Sequence, residues 1–153
     1  MYTLFHGTTK KSANFIAKYG FKLEPTRGAR IFGTGAYLTF TFDGAVYWIK
    51  RMRIPLKQAA VLNLQVRLRN PLIIDTFEQY DRVLSAPFHS GNYKNFDQFM
   101  QEYYGGAYDG LVINDFPCKG YREMQRFIFG IGGEQVVVYD LRRIRVKKII
   151  FLK

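Results

Sequence analysis

Residues 2–8 read Tyr2-Thr3-Leu4-Phe5-His6-Gly7-Thr8, an apolar run closed by His-Gly-Thr. Aromatic and β-branched residues of this kind make a strand. A histidine at the end of such a strand is either an ordinary strand residue or the first member of a site completed further along. The choice rests on two other stretches. One is Gly33-Thr34-Gly35-Ala36-Tyr37-Leu38-Thr39, and the other is Glu134-Gln135-Val136-Val137-Val138-Tyr139-Asp140.

Taken singly, each stretch has an ordinary explanation. Gly-x-Gly before a short strand marks a tight turn. It lacks the third glycine and the following helix of a dinucleotide-binding fingerprint. A glutamate at the start of a valine-rich strand is commonplace. Strand periodicity puts Glu134, Val136 and Val138 on one face and Gln135 on the other, so Glu134 and Gln135 cannot both line one site.

Around these stretches the chain alternates strands and helices irregularly. Residues 10–20 predict an amphipathic helix with Ala13, Ile16 and Ala17 on one face and Gly20 as its stop. Residues 21–35 are rich in Gly and Pro signals and predict a loop. Residues 43–52 predict a helix capped by Asp43. Residues 59–68 predict a strand, 76–85 and 95–104 helices, and 110–115 a buried strand. Residues 126–130, 134–140 and 146–153 predict three further strands. This is an α+β pattern without the strict alternation of a parallel sheet, and it leaves strand order open.

The 153 residues suit one domain, 1–153, with one core, and 48% hydrophobic residues are enough to build it. No apolar run reaches membrane-span length, and the start does not read as a secretory leader. A single cysteine, Cys118, excludes an internal disulfide and disfavours a thiolate metal site. The expectation is a cytoplasmic, metal-free protein. The net charge of +11 is less ordinary, and up to Asn70 the only acids are Glu24 and Asp43. Such a balance fits a polyanion, nucleic acid above all, or a solvated basic surface.

The order of the motifs says more than any one of them. His6-Gly7-Thr8, then Gly33-x-Gly35-x-Tyr37, then Ala45-x-Tyr47 on a helix, then Glu134 before a strand ending Tyr139-Asp140, resembles the His-Tyr-Glu class of ADP-ribosyltransferases. That superfamily includes the poly-ADP-ribose polymerases and the diphtheria-type toxins. The resemblance runs from Phe5 to Asp140. It implies an α+β fold of two packed, mainly antiparallel sheets with a few flanking helices. It implies NAD as substrate, with release of nicotinamide.

Carried over residue by residue, His6 would hydrogen-bond the 2′-hydroxyl of the adenosine ribose, Gly7 would offer its backbone N–H and C=O to the nicotinamide carboxamide, and Thr8 and Gly35 would also belong to the NAD-binding set. Gly7 would let the ligand approach closely. Gly33 and Gly35 would turn the chain before Tyr37, which would stack on the nicotinamide ring with Tyr47 as the second aromatic. Glu134 would be the catalytic carboxylate opposing an oxocarbenium-like transition state. Arginine-modifying members carry a second glutamate two residues earlier, where this chain has Gly132. The preceding stretch matches the superfamily's target-selecting loop and holds Lys119, Tyr121, Arg122 and Arg126. Basic residues interleaved with an aromatic suit a single-stranded nucleic acid, or an acidic protein surface.

The leading expectation is a mono-ADP-ribosyltransferase acting on a macromolecule, nucleic acid before protein. It is built like a bacterial or phage effector, for which an antitoxin or inhibitor protein would be a partner. An NAD-using RNA 2′-phosphotransferase and an inactive nucleic-acid-binding module are the alternatives. His89 reads as a loop histidine, and Cys118 as a thiol without a basic partner.

Overall fold

The structure, a computed structural model, describes residues 1–23, 32–85, 93, 96–129 and 133–153. Most of the loop before Phe32, together with Glu24, His89 and Gly132, lies outside the described residues.

Strand β1 (Tyr2–Thr9) forms where its composition predicts, and Thr9 ends it by capping helix α1 (Lys10–Tyr19). The Thr9 hydroxyl accepts from the Ser12 N–H at 3.1 Å. Gly20 stops α1 at φ +84°, a conformation that favours glycine. Ala13 and Ile16 are buried and Ala17 is exposed, so the helix buries a narrower face than expected. Strand β2 (Ala36–Leu38) leads to helix α2 (Phe42–Arg51). The cap of α2 is Thr41, whose hydroxyl accepts from the Gly44 N–H at 2.9 Å, not Asp43. Asp43 stands in the first turn, where its charge favours the helix dipole.

Strands β3 (Ala59–Val66) and β4 (Pro71–Ile74) follow, and β4 was not legible as a strand. Helix α3 (Phe77–Gln79) starts from a Thr76–Gln79 capping box and continues in π-type turns over Tyr80–Ser85. Then come helix α4 (Phe96–Tyr104), strand β5 (Gly110–Ile113) and helix α5 (Tyr121–Met124), extended by π-type turns over Gln125–Phe129. Strands β6 (Gln135–Val138) and β7 (Ile144–Phe151) complete the chain. The strand expected at 126–130 is therefore helical through Phe129. The reason is Phe127, fully buried and stacked on Phe116 with ring centroids 3.8 Å apart. A short apolar run does not distinguish a strand from a buried helical turn.

The strands form two sheets, ordered β1-β3-β7 and β2-β6-β5-β4. Every pairing is antiparallel except β4 with β5. The α+β, mainly antiparallel two-sheet architecture is as expected. Leu4, Leu62, Leu64 and Val66 of the first sheet meet Leu38, Val112, Val136 and Val138 of the second, with Ala13 and Ile16 of α1. The far face of the second sheet carries Leu111, Ile113 and Val137 under Phe96, Phe99, Phe116 and Phe127. The far face of the first sheet carries Ala59 and Val61 under Ala45 and Ile49 of α2. Burial of each Val, Leu, Ile or Phe among them contributes about 1.5–3 kcal/mol, and of each Ala less. The two sheets touch at one edge through paired backbone bonds: Phe5 N–H to the Thr39 carbonyl (2.9 Å) and Thr39 N–H to the Phe5 carbonyl (2.8 Å). This contact places the His6 motif beside the Tyr37 motif.

Candidate functional site

A cavity of about 1070 Å³ opens where β1, β2, α1 and α2 converge. Small-molecule sites usually span about 300–1,000 Å³, so there is room for a dinucleotide. His6, Gly7, Thr8, Gly35, Tyr37 and Gln135 all contribute to its wall. All three separated stretches thus contribute to one wall, the third through Gln135, although they stand far apart in sequence.

His6 has a defined protonation. Its Nδ1 lies 3.1 Å from the Tyr37 carbonyl oxygen. A carbonyl only accepts, so Nδ1 carries the proton and Nε2 is the acceptor of the neutral ring. Burial lowers the histidine's pKa, partly offset by that same hydrogen bond. The ring is therefore neutral at pH 7 and packs edge-on against Phe21, with centroids 5.1 Å apart. A neutral histidine with a fixed acceptor is suited to receive a bond from a sugar hydroxyl.

Tyr37 is held through its hydroxyl, which accepts from the Phe32 N–H (2.9 Å) and donates to the Gly33 carbonyl (2.8 Å). The Tyr139 hydroxyl donates to the Phe32 carbonyl at 2.6 Å. Asp97 accepts from the Thr34 N–H and the Thr34 hydroxyl at 2.8 and 2.7 Å. The turn at 32–34 is thus fastened from three sides. With its hydroxyl engaged by the chain, Tyr37 contributes a fixed ring, which is what stacking requires. Asp97 was not singled out from sequence, and Tyr139 only as the end of a strand. Their role depends on a fold contact that no local pattern encodes.

Packing gives two of the glycines a further reason. A Cβ on Gly7 would lie 2.4 Å from the Ala45 carbonyl oxygen and 2.7 Å from Ile49 Cγ1. Gly7 is therefore needed for β1 to pack on α2. A Cβ on Gly35 would lie 2.7 Å from Val137 Cγ1, so β2 and β6 need that glycine too. Gly33 has φ +86°, which favours glycine in the turn.

The remaining expected residues lie elsewhere. Tyr47 is 56% exposed and does not line the cavity; its neighbour Trp48 does. On a helix, adjacent residues point about 100° apart, so a one-residue offset changes the wall residue. The same holds on β6. Gln135 is buried and lines the cavity, while Glu134 is exposed and does not. The two indeed point apart, but the inward one is the glutamine. The Gln135 amide donates to the Gly133 carbonyl at 3.2 Å, which fixes its plane. Partial desolvation and the nearby Asp115 raise the Glu134 pKa.

Lys119, Tyr121, Arg122 and Arg126 do not line the cavity either. Arg126 is ion-paired with Asp81 and lies over the Phe77 ring at 5.5 Å. Lys119 reaches Glu78 at 4.0 Å, and its N–H donates to Glu123 at 3.0 Å. Among the described residues, the cavity wall instead carries Lys11, Lys22 and Arg51 and no carboxylate. These cations, with Trp48, were missed because neither helix shows a ligand-binding signature; the near absence of acids before Asn70 was the available signal.

No protein-family model matches the chain, and no curated protein matches it. Among solved structures, a chain of the M. tuberculosis MbcT–MbcA toxin–antitoxin complex is similar. The match covers 99% of this chain and 84% of that one, with a TM-score of 0.55 and 14% sequence identity. At that identity the likeness is one of fold, and it agrees with the two-sheet α+β architecture that the motif order implies.

Proposed function

We propose that the chain cleaves the bond between nicotinamide and ribose in NAD and transfers ADP-ribose to a macromolecular acceptor. The observation that carries this reading is one cavity walled, among the described residues, by His6, Tyr37 and Gln135 together with three cations and no carboxylate. NAD presents a ribose hydroxyl for the His6 acceptor and an aromatic ring for Tyr37. It also presents a pyrophosphate for Lys11, Lys22 and Arg51. Gln135 takes the wall position at the foot of β6, where its amide dipole can orient the ribose. Glu134, one residue earlier, is the adjoining carboxylate, and in this reading its part is secondary. The similar chain was solved in a toxin–antitoxin assembly. That supports a protein partner which restrains the activity. The reading takes the cytoplasm as the place of action; among the described residues no helix is long and apolar enough to cross a membrane.

A second reading is favoured by the same cationic wall. An NAD-using RNA 2′-phosphotransferase would draw on basic residues and need no carboxylate. One experiment separates the two. The protein is incubated with adenylate-labelled NAD and pooled cell nucleic acid and protein and, separately, with the same NAD plus a 2′-phosphorylated RNA, and nicotinamide is measured. Release without the phosphorylated RNA, with label from the adenylate moiety passing to a macromolecule, supports ADP-ribosyl transfer. Release only with that RNA, with loss of its phosphate, supports the alternative. No release in either mixture contradicts both.

A further inference from the structure

Two helices flank the cavity, and both present aromatic rings and cations to solvent. On α1, Phe15 and Tyr19 pair with centroids 5.0 Å apart, and Lys18 lies over the Tyr19 ring at 5.1 Å. On α2, Tyr47 and Trp48 pair at 6.0 Å, and Arg51 lies over the Trp48 ring at 5.1 Å. Phe15, Tyr19 and Tyr47 are 45%, 66% and 56% exposed, unusual for rings of this size. Phe15 and Trp48 also line the cavity, so the aromatic surface continues from the cavity wall to the outside. Neither helix contributes an acid except Asp43, in the first turn of α2. Among the described residues, Lys11, Lys18, Lys50 and Arg51 have no carboxylate partner.

We infer that this α1–α2 surface docks a single-stranded nucleic acid as the acceptor. The inference rests on the NAD reading for the word acceptor, but the docking stands on its own observations. Bases stack on exposed rings whatever their sequence, while interleaved cations follow the phosphates. A duplex hides its base faces and cannot use these rings. An apolar protein face would be ill matched, because each ring pair is topped by a cation. The surface leads into the cavity along Phe15 and Trp48, so a docked strand would bring a nucleotide to the reacting ribose. The loop at 119–126 does not line the cavity, and two of its cations already have partners, Lys119 near Glu78 and Arg126 on Asp81.

Trp48 is the chain's one tryptophan and serves as reporter. The full chain is titrated, without NAD, with uridine and thymidine strands of roughly twelve nucleotides, the length range of one compact binding surface. A duplex of the same length, polyphosphate and polyglutamate are the comparisons. Either single strand should quench Trp48 fluorescence, and polyphosphate, which has charge and no bases, should not. With three phosphates neutralised, affinity should fall roughly twentyfold between about 50 and about 200 mM salt. Lys18→Glu combined with Tyr19→Ala, both outside the cavity wall, should weaken strand binding roughly tenfold. Nicotinamide release by that variant should be unaltered. Absence of quenching by both strands, equal binding of duplex, quenching by polyglutamate alone, or a variant with unaltered affinity would each overturn the inference. Quenching by a strand in a protein that releases no nicotinamide would leave the docking surface intact and count against the NAD reading instead.

Discussion

The α1–α2 surface and the segment around α5 are both rich in lysine and arginine, yet their charges have different fates. Around α5 two of the three cations have partners within the fold, and Arg122 is exposed. Arg126 ties the segment to Asp81 and covers Phe77, and the Lys119 ammonium lies 4.0 Å from Glu78, while Glu123 accepts only from the Lys119 backbone N–H. Along α1 and α2 the cations face solvent or the cavity, and no acid answers them among the described residues. The difference teaches that a basic cluster means little until its counter-charges are located. Those counter-charges come from α3 and its continuation, far from α5 in sequence. A cation with a fixed partner holds structure, and one without a partner is available to a ligand.

The comparison can be broken most severely at β6. Gln135→Ala removes a buried wall group and should lower the rate of nicotinamide release roughly a hundredfold, as for loss of one oriented polar group. Glu134→Gln, at an exposed position, should stay within roughly threefold. Steady-state rates of both variants decide the matter; the reverse order would return the catalytic role to Glu134. Gly7→Ala comes next. It drives a Cβ into the Ala45 carbonyl, a backbone atom that moves only with α2. Overpacking of this kind costs about 1–3 kcal/mol and should appear as a lower denaturant midpoint.

The histidine sharpens the comparison through pH. Its folded pKa is depressed by burial below about 6.5, so the neutral ring is favoured in the native state. Stability from this group is full above the unfolded value and is lost as pH falls through the folded value. NAD affinity should follow the same direction, because protonation converts the Nε2 acceptor to a donor. Titrations in acid should show this loss in the unaltered protein and not in His6→Gln. Arg126→Ala is the smallest change. It should destabilise by about 0.5–1 kcal/mol in thermal unfolding, for a partly exposed ion pair, and leave NAD affinity unchanged.

Much of the fold was legible because it depends on local pattern. The run at 2–8, the capped helix at 10–19 and the valine-rich strand at 135–138 each follow from periodicity and composition. The strand expected at 126–130 failed because its apolar residues serve one buried stack, Phe127 on Phe116, which a helical turn supplies equally well. Within the site, His6 and Tyr37 were legible from motif order, and the structure brings them within hydrogen-bond reach. Tyr47 and Glu134 stand one residue from the side chains that line the cavity, because a motif fixes a neighbourhood while the pleat or the helical turn fixes which side chain points inward. The cationic wall was legible only as an imbalance of charge, since Lys11, Lys22 and Arg51 are brought together by tertiary packing.

The central claim is that NAD occupies the cavity and is held there by the unanswered cations of its wall. Calorimetric titration of NAD into Lys11→Glu with Arg51→Glu, and into Lys119→Glu with Arg122→Glu, tests it directly. The same total charge is reversed in each variant, so bulk electrostatics is equal. The wall variant should lose roughly tenfold or more in affinity, at about 1.4 kcal/mol per decade, and the loop variant should bind as the unaltered protein does. Equal affinities in the two variants, or a loss confined to the loop variant, would contradict the account.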